Sequence, residues 1–242
     1  MPSRITCQVD DRTPVTVVRL AGGLDTGTMR PVHGVLDRCL SEQPDALVVD
    51  LTDVQVKDRL ALSVFAAAAR QAASWPAVPM VLCSPPADAA AWLAESTVCR
   101  VVPVSPDCAE ATRTVGAAAT PRLRARLEPV AGACRRAREL VTDACGRWNL
   151  PEAVGPASLV LSELVGNVVR HAGTPMRVTV TLRRPYLHLA VFDESQESVR
   201  SRRMDLRAEG GRGLMLVREL TQRWGSSPAA NGKVVWAMLP AN

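Results

Sequence analysis

Over the first half of the chain, short β-branched apolar runs alternate with runs whose apolar positions recur every three or four residues. Residues 15–20, 46–51 and 78–83 are almost continuously hydrophobic, as strands covered on both faces should be. Between them, Met29, Val32, Leu36, Cys39 and Leu40 fall at helical spacing within 28–40, and 61–73 is a strong helix-forming run. Strands alternating with helices predict a mixed α/β layer domain.

The pattern changes at 115–121, where small residues, a glycine and a proline mark a boundary. Residues 122–127 then alternate arginine with apolar residues at a period of two, which reads as a linker or as an edge strand opening a second domain. Two long helices are expected over 129–148 and 151–171, and adjacent strands over 176–182 and 186–193, joined into a hairpin by Arg183, Arg184 and Pro185. A third helix is expected over 213–224 and a last strand over 233–239. Two helices, a hairpin, a glycine-marked loop, a helix and a strand describe an α+β sandwich with helices on one sheet face.

Length supports this division, since 242 residues suit two domains. Aromatics are only 3% of the chain, so Ala, Val and Leu must fill the cores. Charge is divided unevenly: residues 1–116 carry 10 basic and 13 acidic side chains, residues 117–242 carry 19 and 11. The basic half therefore favours an anionic partner, whether nucleotide phosphates, nucleic acid or the acidic half itself. Nucleic acid is the weakest of these, because no helix-turn-helix, zinc or aromatic stacking pattern accompanies the charge. No apolar leader follows Met1 and no run reaches about 18 apolar residues, so a cytoplasmic protein without a membrane span is expected. The seven cysteines are odd in number and lack a Cys-x-x-Cys pair, and they read as small buried hydrophobes rather than as disulfide or zinc partners.

The sharpest chemistry lies between Leu161 and Ala172. Glu163 and Asn167 are four apart and share a helix face, whereas Leu161, Leu164, Val165 and Val168 point elsewhere. A carboxylate beside an amide oxygen suits a site where one group polarises a hydroxyl and the other helps to hold magnesium. Downstream, an apolar strand ends in Phe192 and Asp193, delivering a carboxylate that could accept an adenine amino group. Gly210, Gly211, Arg212 and Gly213 follow at the opening of a helix, where glycines let backbone N–H groups approach phosphate oxygens.

In that order the three elements resemble the histidine-kinase-like ATPases, and among them the serine kinases that act as anti-sigma factors. Glu163 to Asn167 resembles the N box, Asp193 the adenine-binding aspartate and Gly211 to Gly213 the second glycine box; Gly232 to Trp236 is similar to the family's terminal strand. The resemblance implies ATP and Mg2+ as cofactors, Asn167 as magnesium ligand, Glu163 as the catalytic base, Asp193 as adenine reader, and Gly211, Arg212 and Gly213 beside the phosphates. After Asp193 the family often carries a glycine or a proline-containing turn, where this chain has Glu194, Ser195, Gln196, Glu197 and Ser198. Residues 198–209, with Arg200, Arg202, Arg203 and Arg207, would form the lid.

In the first half, Gly23, Leu24, Asp25 and Thr26, followed by the run from Leu47 to Val54, resemble the STAS domains of anti-sigma factor antagonists. Those antagonists carry a phosphorylatable serine after an aspartate at a helix start. Here Asp58 is followed by Arg59 and Leu60, with Ser63 the nearest hydroxyl and Arg59 suited to pair with an acid.

Together these readings predict an α/β chain with an N-terminal STAS-like mixed α/β domain (1–116), a linker or edge strand (117–127) and a C-terminal Bergerat-type α+β sandwich (128–242). The function they imply is a cytoplasmic partner-switching regulator, a serine/threonine kinase domain fused to a STAS domain that cannot be phosphorylated. Its expected partners are a sigma factor or a STAS-type antagonist, with intramolecular docking of the two domains or a homodimer as further contacts. The alternative is a nucleotide-dependent interaction module without phosphoryl transfer.

Overall fold

A computed structural model describes residues 4–11, 14–116, 120–195, 211–229 and 231–241. They fall into two compact units, Met1–Ala119 and Thr120–Asn242.

The first unit runs β1 (Ile5–Asp10), β2 (Val15–Leu24), α1 (Met29–Ser41), β3 (Ala46–Val56), a 3-10 turn (Arg59–Leu62), α2 (Ser63–Ser74), β4 (Met80–Cys83), α3 (Ala87–Glu95), a second 3-10 turn (Thr97–Arg100), β5 (Val104–Ser105) and α4 (Cys108–Gly116). Its five strands lie in the order β1-β2-β3-β4-β5, parallel except for β1. The central strands are apolar on both faces because each face has its own core. Leu47, Val49 and Leu51 of β3 join Leu36, Phe65 and Leu93 from α1, α2 and α3, whereas Val48 joins Val15, Val81 and Ala111 beneath α4. Thr28 closes the turn before α1, accepting from the Asp25 N–H at 2.9 Å while its own N–H donates to Asp25 Oδ1 at 3.0 Å.

The second unit continues with β6 (Arg122–Leu127), α5 (Ala133–Trp148), a 3-10 turn (Pro151–Ala153), α6 (Val154–Asn167), a π-turn (Val168–Ala172), β7 (Met176–Arg183), β8 (Tyr186–Asp193), α7 (Gly211–Leu220), β9 (Arg223–Ala229) and β10 (Gly232–Pro240). All strand pairs are antiparallel, in the order β6-β7-β8-β10-β9. Alternate residues of the central strands, Val178, Val180, Leu187, Leu189, Val191, Ala237 and Leu239, meet Val141, Ala144, Leu161, Leu164 and Val165 of α5 and α6 in one core.

The structure departs from the sequence pattern at three places. Helix α7 stops at Leu220, and Trp224, expected at the end of that helix, lies in β9 opposite Ala237. Strand pairing overrides local propensity there. The Trp236 ring of β10 lies against Gly225, where an added Cβ would stand 2.7 Å from it. The helix expected over 151–171 is broken into a 3-10 turn, α6 and a π-turn that ends at Gly173 with φ 62°. Finally, Cys83 and Cys108 are joined in a disulfide with Cα atoms 5.0 Å apart, and Cys99 is exposed, so the cysteines are not uniformly small buried hydrophobes. Spacing along the chain hides that pair, because β5 is what folds Cys108 back beside the end of β4.

Candidate functional site

Helix α6 buries Val160, Leu161, Leu164 and Val165, leaving Glu163 and Asn167 at its partly exposed edge, one turn apart. A third residue joins them. The Arg170 guanidinium donates from Nη2 to Asn167 Oδ1 at 2.9 Å and lies 3.7 Å from Glu163 Oε2. The Arg170 cation thus contacts both groups expected to act on metal and substrate. Glu163 is 28% exposed, open enough to meet a ligand but not bathed in solvent.

The second cluster lies at the end of β8, the strand against which α6 packs. Asp193 alternates with Leu189 and Val191, which face the helices, so its side chain belongs to that side of the sheet. It is 1% exposed. Its Oδ1 accepts from Lys233 Nζ at 2.9 Å and from the Ser195 N–H at 2.9 Å. Lys233 also contacts the Ser195 hydroxyl. Oδ2 of Asp193 has no hydrogen-bond partner among the described residues. Lys233 reaches Asp193 because the two residues are paired across β10 and β8. The neighbouring Gly232 is required by close approach, since a Cβ there would collide with the Asp193 carbonyl oxygen.

Gly211, Arg212 and Gly213 form the first turn of α7, which packs on α6. The expected lid at 198–209, with its four arginines, lies outside the described residues. The contacts of Lys233, Ser195 and Arg170 with the expected site residues were not revealed by the sequence. Arg170 could have been found from its i+3 spacing to Asn167; Lys233 could not, because its partner is set by strand register.

In the first unit, Asp58 caps the 3-10 turn after β3 by accepting the Leu60 N–H at 2.9 Å. Arg59 does pair with an acid, Glu95 at 3.1 Å, and its guanidinium lies 4.9 Å from the Trp92 ring centre. Leu60 is left 72% exposed. The Ser63 hydroxyl donates to the Leu60 carbonyl at 2.6 Å at the start of α2.

Two family models match the chain: the STAS domain over residues 6–111, and the histidine kinase-like ATPase domain over residues 124–239. The chain joins a STAS domain to a histidine kinase-like ATPase domain. The five-stranded sheet with β1 antiparallel belongs to the STAS domain, and the antiparallel sheet under α5, α6 and α7 to the ATPase domain. Among solved structures, an anti-sigma factor antagonist from Mycobacterium paratuberculosis is 23% identical, covering 47% of this chain and 95% of its own, at a TM-score of 0.40. The histidine kinase domain of a blue-light activated histidine kinase from Erythrobacter litoralis is 15% identical over 87% of this chain and 94% of its own, at a TM-score of 0.33. No curated relative matches the chain. An ATPase domain of this kind implies ATP binding, and the pairing with a STAS domain fits a partner-switching regulator. Among the described residues, no helix is long and apolar enough to cross a membrane.

Proposed function

We propose that the chain is a partner-switching regulator whose ATPase domain transfers the γ-phosphoryl group of ATP to a serine or threonine of a STAS-type antagonist protein. The observation that carries this reading is the orphan oxygen of Asp193. A carboxylate removed from water normally has both oxygens hydrogen-bonded, and an unpaired one costs about 1–3 kcal/mol. The exocyclic amino group of adenine would satisfy it, while Lys233 and Ser195 hold the other oxygen and fix the carboxylate plane.

The α6 edge suits the other end of the nucleotide. Asn167 offers the amide oxygen for magnesium and Glu163 the carboxylate for the acceptor hydroxyl, with the first turn of α7 presenting Gly211, Arg212 and Gly213 to phosphate oxygens. Bound magnesium would neutralise charge on the phosphates. In the transfer itself, the acceptor oxygen attacks the γ-phosphorus, the bond to the β-phosphate oxygen breaks, ADP leaves, and Glu163 takes the hydroxyl proton. Arg170 must yield Asn167 before the metal can bind there, since one amide oxygen is already accepting its guanidinium. That contact supports a second reading, an interaction module that binds nucleotide without transferring phosphate.

The STAS domain of the same chain is not the acceptor in this reading. Arg59 and Leu60 stand after Asp58, and Ser63 donates its hydroxyl to backbone. A sigma factor or a second copy of the chain remains a further proposed partner, and the site of action proposed is the cytoplasm. To test the reading, the full chain is incubated with γ-labelled ATP, Mg2+ and an extract of its own cell. Label on serine or threonine of a STAS-type protein, lost with Glu163→Gln, is expected. Nucleotide binding without any protein labelling would favour the interaction module.

A further inference from the structure

A second chemistry sits in the STAS domain. Cys83 is the last residue of β4 and Cys108 the first residue of α4, and β5, paired parallel to β4, brings their Cα atoms to 5.0 Å. That separation is within the range a disulfide spans. The helix they fasten has little else to hold it. α4 buries only Ala111 fully, against the small cluster of Val15, Ala46, Val48, Val81 and Cys83, with Val115 partly buried beside it. Its last residue, Gly116, precedes by a few residues the first strand of the ATPase domain, Arg122–Leu127.

We infer that Cys83 and Cys108 form a reversible thiol–disulfide site, oxidised by peroxides, that fastens or frees α4. Access is asymmetric. Cys108 is partly exposed at the start of α4, whose first N–H groups, those of Ala109 and Glu110, donate to the Asp107 carboxylate, and Cys83 is fully buried behind it. The Cys108 sulfur attacks one peroxide oxygen, the O–O bond breaks, and a sulfenic acid and water form. The Cys83 sulfur then attacks the Cys108 sulfur and expels hydroxide, which leaves as a second water with the Cys83 proton. A dithiol reductant returns two electrons and two protons. The Asp50 carboxylate lies within 4.8 Å of both sulfurs. Asp50 is held by the Thr52 hydroxyl at 2.6 Å and faces Arg19 at 3.9 Å; Asp107 and Glu110 are the acids of the α4 end.

The same three groups could instead hold a thiophilic cation, so the test separates the two. The full chain is reduced with dithiothreitol, divided, and treated either with hydrogen peroxide or with cadmium(II), then mapped by differential alkylation and mass spectrometry. A peptide linked through Cys83 and Cys108 that appears with peroxide and vanishes on reduction is expected. Hydrogen exchange over 108–116 should be at least about tenfold slower in the oxidised chain, and Cys108→Ser should show no such difference. Exchange that ignores oxidation, or peroxide linking other cysteines instead, would overturn the inference. Thiolate-to-cadmium absorption that needs both cysteines, with thiols that resist peroxide, would do so too. If Cys108→Ser does not fold, Cys108→Ala serves, and the oxidised-to-reduced comparison on the parent stands alone.

Discussion

Asp193 is removed from water yet one of its oxygens has no partner among the described residues, and the other is fixed by a lysine from the neighbouring strand. Such a residue is costly to the fold unless something else uses it, which makes it the sharpest single-residue test of the nucleotide reading. Asp193→Asn keeps the shape but loses the charge and leaves Lys233 without its counter-ion. ATP affinity should fall about tenfold or more, at about 1.5–3 kcal/mol for a charge-assisted hydrogen bond; calorimetry measures it. Glu163→Gln should leave that affinity near the parental value while transfer drops about two to four decades, because only the proton acceptor is removed. Arg170→Ala should lower the magnesium concentration needed for half-maximal ATP binding, since the guanidinium no longer occupies Asn167. A rise instead would mean that Arg170 assembles the site.

His188 supplies a pH test at the same scale. It is 1% exposed, and neither ring nitrogen has a partner among the described residues. Burial, with a smaller contribution from the Arg183 charge, pushes its imidazole down to about 4 from the ordinary 6.5. The folded state therefore holds the neutral ring where the unfolded chain would already be protonated. Between about pH 6.5 and 4 the unfolded state binds more protons, so this group lowers stability as pH falls through that window, by up to about 1.4 kcal/mol per unit. Urea unfolding at pH 7 and pH 5 should show the loss, and His188→Phe should flatten it.

At the scale of elements, what could be read from the chain was what depends on local period. The runs at 15–20 and 46–51 are the cores of β2 and β3, and the i,i+4 spacing of Glu163 and Asn167 places them one turn apart on α6. What could not be read depends on distant partners. Trp224 is in a strand because β10 pairs with it, and Lys233 reaches Asp193 only through the β8 and β10 register. The Cys83 and Cys108 pair is 25 residues apart and is made by β5 lying next to β4. Closing a chain loop of this size contributes about 3.5 kcal/mol. Reducing agent should lower the unfolding midpoint of the parent and leave Cys108→Ser unmoved. Gly232→Ala is an element-scale counterpart in the ATPase domain, because the added methyl must push β10 away from the Asp193 carbonyl. A loss of about 1–3 kcal/mol in urea unfolding is expected, with weaker ATP binding as Lys233 moves.

For the whole molecule, the two domains divide the chemistry: the ATPase domain holds the orphan acceptor and the carboxylate–amide edge, and the STAS domain carries no hydroxyl directly after Asp58. Incubation of the full chain with ATP and Mg2+, followed by mass mapping, should therefore leave residues 52–75 unmodified. The most direct measurement is calorimetric titration of the full chain with ATP, with and without Mg2+. The account predicts saturable binding at one site per chain that requires the metal and weakens at least about tenfold in Asp193→Asn. No heat of binding in the parent, or equal affinity in Asp193→Asn, would contradict it.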